Sequence, residues 1–262
     1  MTAAVRVFVV GGAISYRALF NWISPGMYVT TMLGSPLFQI LFFVYLGRFA
    51  GSQDDSFFIV GNAIQIAAMS GIYGMTMGIA NERQYGTLQP LLATPANRLA
   101  IFSGRALPFV VNGLVVSAFG FAMSWVLLDF RPAEGSIPRL VVAVVVTTCS
   151  CVALGMLIGS LGLRARDVFF GANLVYFLML LVCGVNIAND DLPRWLAAIG
   201  RCLPLTHGIE AARGIANGDS LGEVSGLLWT EALVGLAYAT VAYGLFRFFE
   251  AEGRRRASLE TF

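Results

Sequence analysis

Asn62, Gln65, Met69, Tyr73 and Thr76 recur at intervals of three, four, four and three residues, which aligns them on one face of a helix. Amide, phenol, hydroxyl and thioether groups in one stripe can line a path or a subunit seam. They can equally tie neighbouring helices together by hydrogen bonds. The spacing alone leaves both readings open.

Other residue types exclude whole classes of chemistry. All 17 basic residues are arginine. A phosphate-binding P-loop needs its lysine on the terminal phosphates, and Schiff-base chemistry needs a lysine amine. If a nucleotide drives this protein, another chain binds it. Cys149, Cys151, Cys183 and Cys202 form no C-x-x-C pair and read as small buried hydrophobes. His207 is the single histidine, so no histidine-based zinc cluster can be assembled. One acidic residue, Glu231, falls inside an apolar segment. It marks a proton-coupled secondary transporter as the alternative reading, against a structural role in which it bonds a neighbouring helix. An intramembrane enzyme lacks the aspartate pair, histidine network or metal cluster it would need.

The elements that carry these residues follow from composition. The chain has 262 residues, of which 57% are hydrophobic and 12% charged. Soluble domains carry about 25% charged residues. An all-α integral membrane protein of one domain, residues 1–262, is expected, with six transmembrane helices over 28–46, 57–80, 106–128, 140–161, 168–188 and 224–246. Gly34 and Pro36 predict a kinked or broken first turn in the first span. Gly74-x-x-x-Gly78 and Gly155-x-x-x-Gly159 predict close helix contacts. Residues 3–22 read as an amphipathic helix on the membrane surface in preference to a cleaved leader. Two polar stretches interrupt the apolar segments. Asn81 to Arg98 carries a partial apolar stripe, Leu88, Leu91 and Leu92, and stops at Thr94-Pro95. It reads as a short amphipathic surface helix or as a plain loop. Asn189 to Glu223 contains two apolar pieces too short to span, which fit half-helices entering the outer leaflet or an ordinary external loop with interfacial helices. Six spans put both termini on one side, which holds eleven of the arginines against six on the other. By the positive-inside rule both termini are cytoplasmic.

Two motifs carry a family resemblance. Glu82-Arg83-Gln84-Tyr85-Gly86-Thr87-Leu88-Gln89, followed by Leu91-Leu92, Thr94-Pro95 and Arg98, resembles the cytoplasmic signature of the ABC-2 (type V) export permeases, E-x-E-x-G-T-L-E-x-L-x-x-T-P. Gln84 and Gln89 stand where that pattern has acids. Leu192-Pro193, Trp195-Leu196, Leu203-Pro204-Leu205-Thr206 and Ile209-Glu210-Ala211-Ala212-Arg213 resemble the family's stretch before the last span, with Leu203 in place of its asparagine.

The family includes daunorubicin-type drug exporters, nodulation-factor permeases and polysaccharide or teichoic-acid exporters. The resemblance implies a half-transporter of a bacterial inner membrane that exports an amphiphilic substrate. It pairs with a second permease, identical or paralogous, and docks separate ATPase subunits, two per transporter. ATP and magnesium would be bound by the ATPases, with no cofactor in this chain and no nucleic-acid partner. It further implies that the ATPase meets a coupling helix holding Glu82, Arg83, Gly86, Thr87, Leu88, Leu91, Thr94 and Pro95. Leu203, Pro204, Leu205 and Thr206 would then form an external re-entrant motif. Spans one, two and five would line the path, with Asn62, Gln65, Met69, Tyr73, Thr76 and Asn173 as its candidates.

Overall fold

The computed structural model describes residues 10–12, 25–84, 86, 98–162 and 168–256. Every regular element among them is helical. After a single α-turn, Pro25–Met27, the chain runs through π-helical turns at Tyr28–Gly34 into the regular helix α1, Ser35–Ala50. The wide turns stand where Gly34 and Pro36 predict a break. Pro36 has no N–H for the carbonyl four residues earlier, and the ladder has to open. Gly51 ends α1 in the left-handed region at φ 62°, its N–H donating to the Gly47 carbonyl. Across the short loop, Arg48 Nε donates to both Asp55 carboxylate oxygens at 3.0 Å, pinning the end of α1 to the start of α2.

Helix α2, Asp55–Gln84, is the axis of the fold. It packs against α1, α3 (Arg98–Leu128), α4 (Ile137–Leu161), α5 (Val168–Val182) and α7 (Thr206–Asn217). Small side chains make that central position possible. Ala63, Ala67 and Ala68 are buried, and a Cβ on Gly155 of α4 would lie 2.7 Å from the Ile72 carbonyl oxygen of α2. The two backbones therefore touch where a larger residue would hold them apart. Gly74 of the other small-residue pair receives the Phe109 ring of α3. Helix α8, Leu221–Arg256, lies against α4 and α7.

Five helical segments are long and apolar enough to cross a bilayer: Tyr28–Ala50, Asp55–Asn81, Ser103–Leu128, Ile137–Leu161 and Leu221–Phe249. The first and last are largely exposed. They present Phe38, Phe42, Tyr45 and Phe49, and Trp229, Leu233 and Leu236, surfaces that only lipid or another apolar chain can cover. The expected fifth span, 168–188, is corrected at its C-terminal end. Helix α5 stops at Val182 after 15 described residues, about 22 Å of rise against a hydrocarbon core of about 30 Å. Gly184, at φ 74°, turns the backbone out of helical geometry, and Cys183–Val185 pack into the core as an irregular strap. A 3-10 turn, Asn189–Asp191, and helix α6, Arg194–Cys202, follow. The expected surface helix over 3–22 falls almost entirely outside the described residues, as do the 163–167 loop and the tail after Arg256.

Candidate functional site: a polar seam and a capped inner helix

The stripe on α2 meets α1 and α5 through two sets of hydrogen bonds. Gln39 Nε2 on α1 donates to Asn62 Oδ1 at 3.0 Å. Asn62 Nδ2 donates to the Phe58 carbonyl at 2.9 Å and to Asn186 Oδ1 at 2.8 Å. Tyr176 on α5 donates to Gln39 Oε1 at 3.3 Å, and the Tyr73 hydroxyl donates to Asn173 Oδ1 at 2.6 Å. The Tyr73 and Tyr176 rings stand 6.3 Å apart and continue the seam with π-faces. Gln65 is buried beside Gln39, and its amide nitrogen has no partner among the described residues. Met69 is half-buried on the same face. Thr76 alone turns away, donating to the Gly155 carbonyl of α4 at 3.1 Å. Five of the six candidates therefore share the α1–α2–α5 side and the sixth is a helix–helix tie. Gln39, Tyr176 and Asn186 belong to the seam and were not singled out from the sequence. Tyr176 lies three residues beyond Asn173, on the same helical face, and that spacing was the available signal.

A second chain joins the start of the first span to α3. The Tyr28 hydroxyl donates to Asn112 Oδ1 at 2.7 Å, Asn112 Nδ2 to Ser70 Oγ at 2.7 Å, and Ser70 Oγ to the Phe109 carbonyl at 3.2 Å.

The motif Leu203, Pro204, Leu205 and Thr206 forms the corner between α6 and α7, with all but Leu203 buried. Leu205 sits at φ 104°, a conformation that costs a β-carbon-bearing residue about 1–3 kcal/mol. Its surroundings hold it there. The Leu205 N–H donates to Glu231 Oε1 at 2.8 Å and the Gly208 N–H to Glu231 Oε2 at 3.2 Å. Glu231, wholly buried on α8, thus caps the first turn of α7 from outside its own chain segment. Its acceptor oxygens face the N–H groups at the positive end of the helix dipole. Thr206 Oγ1 donates to the Gly200 carbonyl at 2.6 Å and closes the corner. His207 Nδ1 lies 3.9 Å from Glu231 Oε2. Burial holds its imidazole below the ordinary value, with Glu210 opposing and Arg201 reinforcing that shift.

Arg213 fixes the other end of α7. Its Nη2 donates to the Phe57 and Val185 carbonyls, both at 3.0 Å, and its guanidinium carbon lies 3.5 Å from the centre of the Phe57 ring. Burial lowers its pKa to about 9, which leaves it protonated at neutral pH. The irregular strap, the start of α2 and α7 are thereby joined through one cation. Asn189 Nδ2 donates to Glu210 Oε1 at 2.7 Å and ties the 3-10 turn to the same helix.

Of the coupling candidates, Glu82 and Arg83 lie on the last turn of α2, and Gly86 is exposed at φ 66° just beyond it. Thr87, Leu88, Leu91, Thr94 and Pro95 lie outside the described residues.

Comparison with known proteins adds a family-level match. The profile of the ABC-2 type transporter family covers residues 12–216. Over 200 residues the chain is 27% identical to the probable multidrug ABC transporter permease YbhR of Escherichia coli K12, covering 74% of this chain and 53% of that protein. Over 256 residues it is 26% identical to the probable doxorubicin resistance ABC transporter permease protein DrrC of Mycobacterium tuberculosis H37Rv, covering 93% and 91%. The daunorubicin resistance ABC transporter permease protein DrrB1 of Streptomyces coeruleorubidus is 24% identical over 220 residues, covering 81% and 77%. The chain thus spans about half the length of YbhR and nearly all of DrrC.

Proposed function

The chain belongs to the ABC-2 type transporter family, and from that premise we propose that it is the permease half of an ATP-driven exporter whose motor is a separate ATPase subunit. The cargo is amphiphilic: a drug, a lipid or a lipid-linked glycan, moved outward from the cytoplasm or the inner leaflet. The observation that carries this reading is the α1–α2–α5 seam. It is polar but uncharged, it is lined by amides, tyrosines and Met69, and it is flanked by exposed aromatic faces on α1 and α5 (Phe38, Phe42, Phe169, Phe170). Such a lining suits a large cargo with one apolar and one polar end, and methionine and aromatic side chains adapt to varied shapes.

The exposed aromatic faces await a second permease, identical or paralogous, which would close the seam into a path. Both termini face the cytoplasm in this reading. The stretch from Glu82 to Pro95, with Arg83, Gly86, Thr87, Leu88, Leu91 and Thr94, meets the ATPase. ATP-driven closure then moves α2, and with it every helix packed on α2. A rigid central helix with discrete packings is the kind of element that converts a docking event into alternating access.

The proton-coupled alternative centred on Glu231 is less well supported. Both carboxylate oxygens accept backbone N–H groups of a neighbouring helix, a structural assignment in itself. The experiment is ATP-dependent uptake of a fluorescent amphiphile into inverted vesicles holding this chain and its ATPase. Uptake that stops when the ATPase carries a hydrolysis-dead substitution supports the proposal. Uptake that follows an imposed proton gradient without ATP would overturn it.

A further inference from the structure

Helix α6 divides its surface three ways. Leu196 and Gly200 face the protein, with Gly200 against the Val182 carbonyl. Trp195 is 65% exposed and Ile199 40% exposed, so one flank is apolar and open. Arg194 and Arg201 are seven residues apart, two helical turns, and share a third face with Ala197 and Ala198. That third face and the 3-10 turn before it enclose an open cleft of about 630 Å³, lined by Asn189, Asp190, Arg194, Ala197, Ala198 and Arg201 among others. Among the described residues neither guanidinium forms a salt bridge. Asp190 is the one carboxylate on the cleft, so its charge balance is positive. Asn189 donates its amide N–H to Glu210, which holds the 3-10 turn at the rim of the cleft.

We infer that this cleft binds the phosphate headgroup of a membrane phospholipid. An open tryptophan–isoleucine flank is at home at the boundary of headgroups and acyl chains. With that flank set, the adjoining arginine face stands at the level of the lipid phosphates. Planar guanidinium groups bind phosphate through paired N–H donors. The volume fits a headgroup, and the two small alanines between the arginines leave room for it. Asp190 is an acceptor for a headgroup hydroxyl or ammonium. The inference rests on the proposed orientation only for the leaflet, which would be the outer one. A lipid held here would lie beside the corner that leads into α7 and would brace it against the membrane surface.

The test uses the full chain purified without an ATPase, so its outcome is independent of whether the motor partner has been identified. Thermal unfolding is followed while phosphatidylglycerol, a galactolipid of the same acyl chains, or soluble glycerol phosphate is titrated. Wild type is compared with Arg194→Gln, Arg201→Gln and the double variant. Phosphatidylglycerol alone is expected to raise the unfolding temperature at low concentration. Its apparent affinity should fall about tenfold for each arginine removed and about a hundredfold for both, with melting in lipid-free detergent unchanged. Equal binding of the galactolipid, or an unaltered phosphatidylglycerol affinity in the double variant, would overturn the proposal. Glycerol phosphate acting as strongly as the lipid would overturn it too, by assigning the cleft to a soluble phosphate. Restored affinity in the double Arg→Lys variant would support the proposal, with the positive charge of the two positions carrying the phosphate contact.

Discussion

Removal of the Glu231 carboxylate should loosen the first turn of α7 more than any other single change in α8. Glu231→Ala leaves the Leu205 and Gly208 N–H groups without their acceptors. Each orphaned buried donor costs about 1–3 kcal/mol. Loss of an acceptor dipole at the helix N-terminus adds up to about 1 kcal/mol. Against this stands relief from burying a carboxylate, an offset of several kcal/mol when pairing is imperfect. Here both oxygens are bonded, so a net loss of about 2–4 kcal/mol is expected. Glu231→Gln keeps the shape and one acceptor but turns an amide N–H toward a backbone N–H, and should cost about half as much. The assay is amide hydrogen exchange on the purified chain, read at Leu205 to Ile209 and, for reference, along α4. A local loss of 2 kcal/mol or more is a thirtyfold or greater fall in protection. The alanine variant should show that fall at the α7 corner while the middle of α4 stays protected. Protection unchanged within twofold at Leu205 and Gly208 would refute the capping argument. Transport abolished in the Glu231→Gln variant, with ATP hydrolysis by the partner unchanged, would revive the proton-relay reading.

Three further outcomes follow from the packing. Gly155→Leu drives a side chain into the Ile72 backbone and should destabilise by about 1–3 kcal/mol or prevent accumulation, whereas Gly226→Ala, with open space around it, should melt as wild type; comparative thermal unfolding decides this. Arg213→Met removes donors from the Phe57 and Val185 carbonyls and should raise exchange in both the strap and the first turn of α2, while Arg213→Lys should rescue only in part because one ammonium replaces a planar fork. Asn62→Leu cuts the bonds to Gln39 and Asn186 and should shift transport efficiency for polar-ended cargo more than stability, since interhelical hydrogen bonds in membranes average about 0.6 kcal/mol; uptake kinetics set beside melting curves separate the two effects.

The length and apolarity of the spans were legible because a bilayer demands them, and five spans lie within four residues of the expected bounds. The end of α5 was not legible. Apart from Asn173 and Asn186, Val168 to Ala188 is apolar or small or aromatic, and hydropathy cannot distinguish a lipid-facing helix from an irregular strap buried by α2 and α7. Gly184 was the local clue, but its positive φ is selected by that packing. The α2 stripe was readable from spacing. That Thr76 would tie to α4 was not, because its partner is a backbone carbonyl brought within reach by the close approach at Gly155. Glu231 stood out as a buried acid, yet its partners are backbone N–H groups at a corner 23–26 residues earlier, and a backbone donor leaves no mark on residue type. The cleft on α6 was missed for a similar reason. Arg194 and Arg201 were counted for topology, and their common face emerged only once α6 was bounded.

The most direct measurement of the account is subunit recovery and ATP turnover when this chain is co-expressed with an ABC ATPase and purified in nanodiscs. Wild type is set against a variant carrying Glu82→Ala, Thr87→Ala and Leu88→Ala. The account predicts that the ATPase co-purifies with wild type and that the triple variant loses it, or retains it with turnover no longer responsive to cargo. An ATPase that never binds, or a triple variant indistinguishable from wild type in recovery and turnover, would contradict the proposed coupling at Glu82 to Pro95.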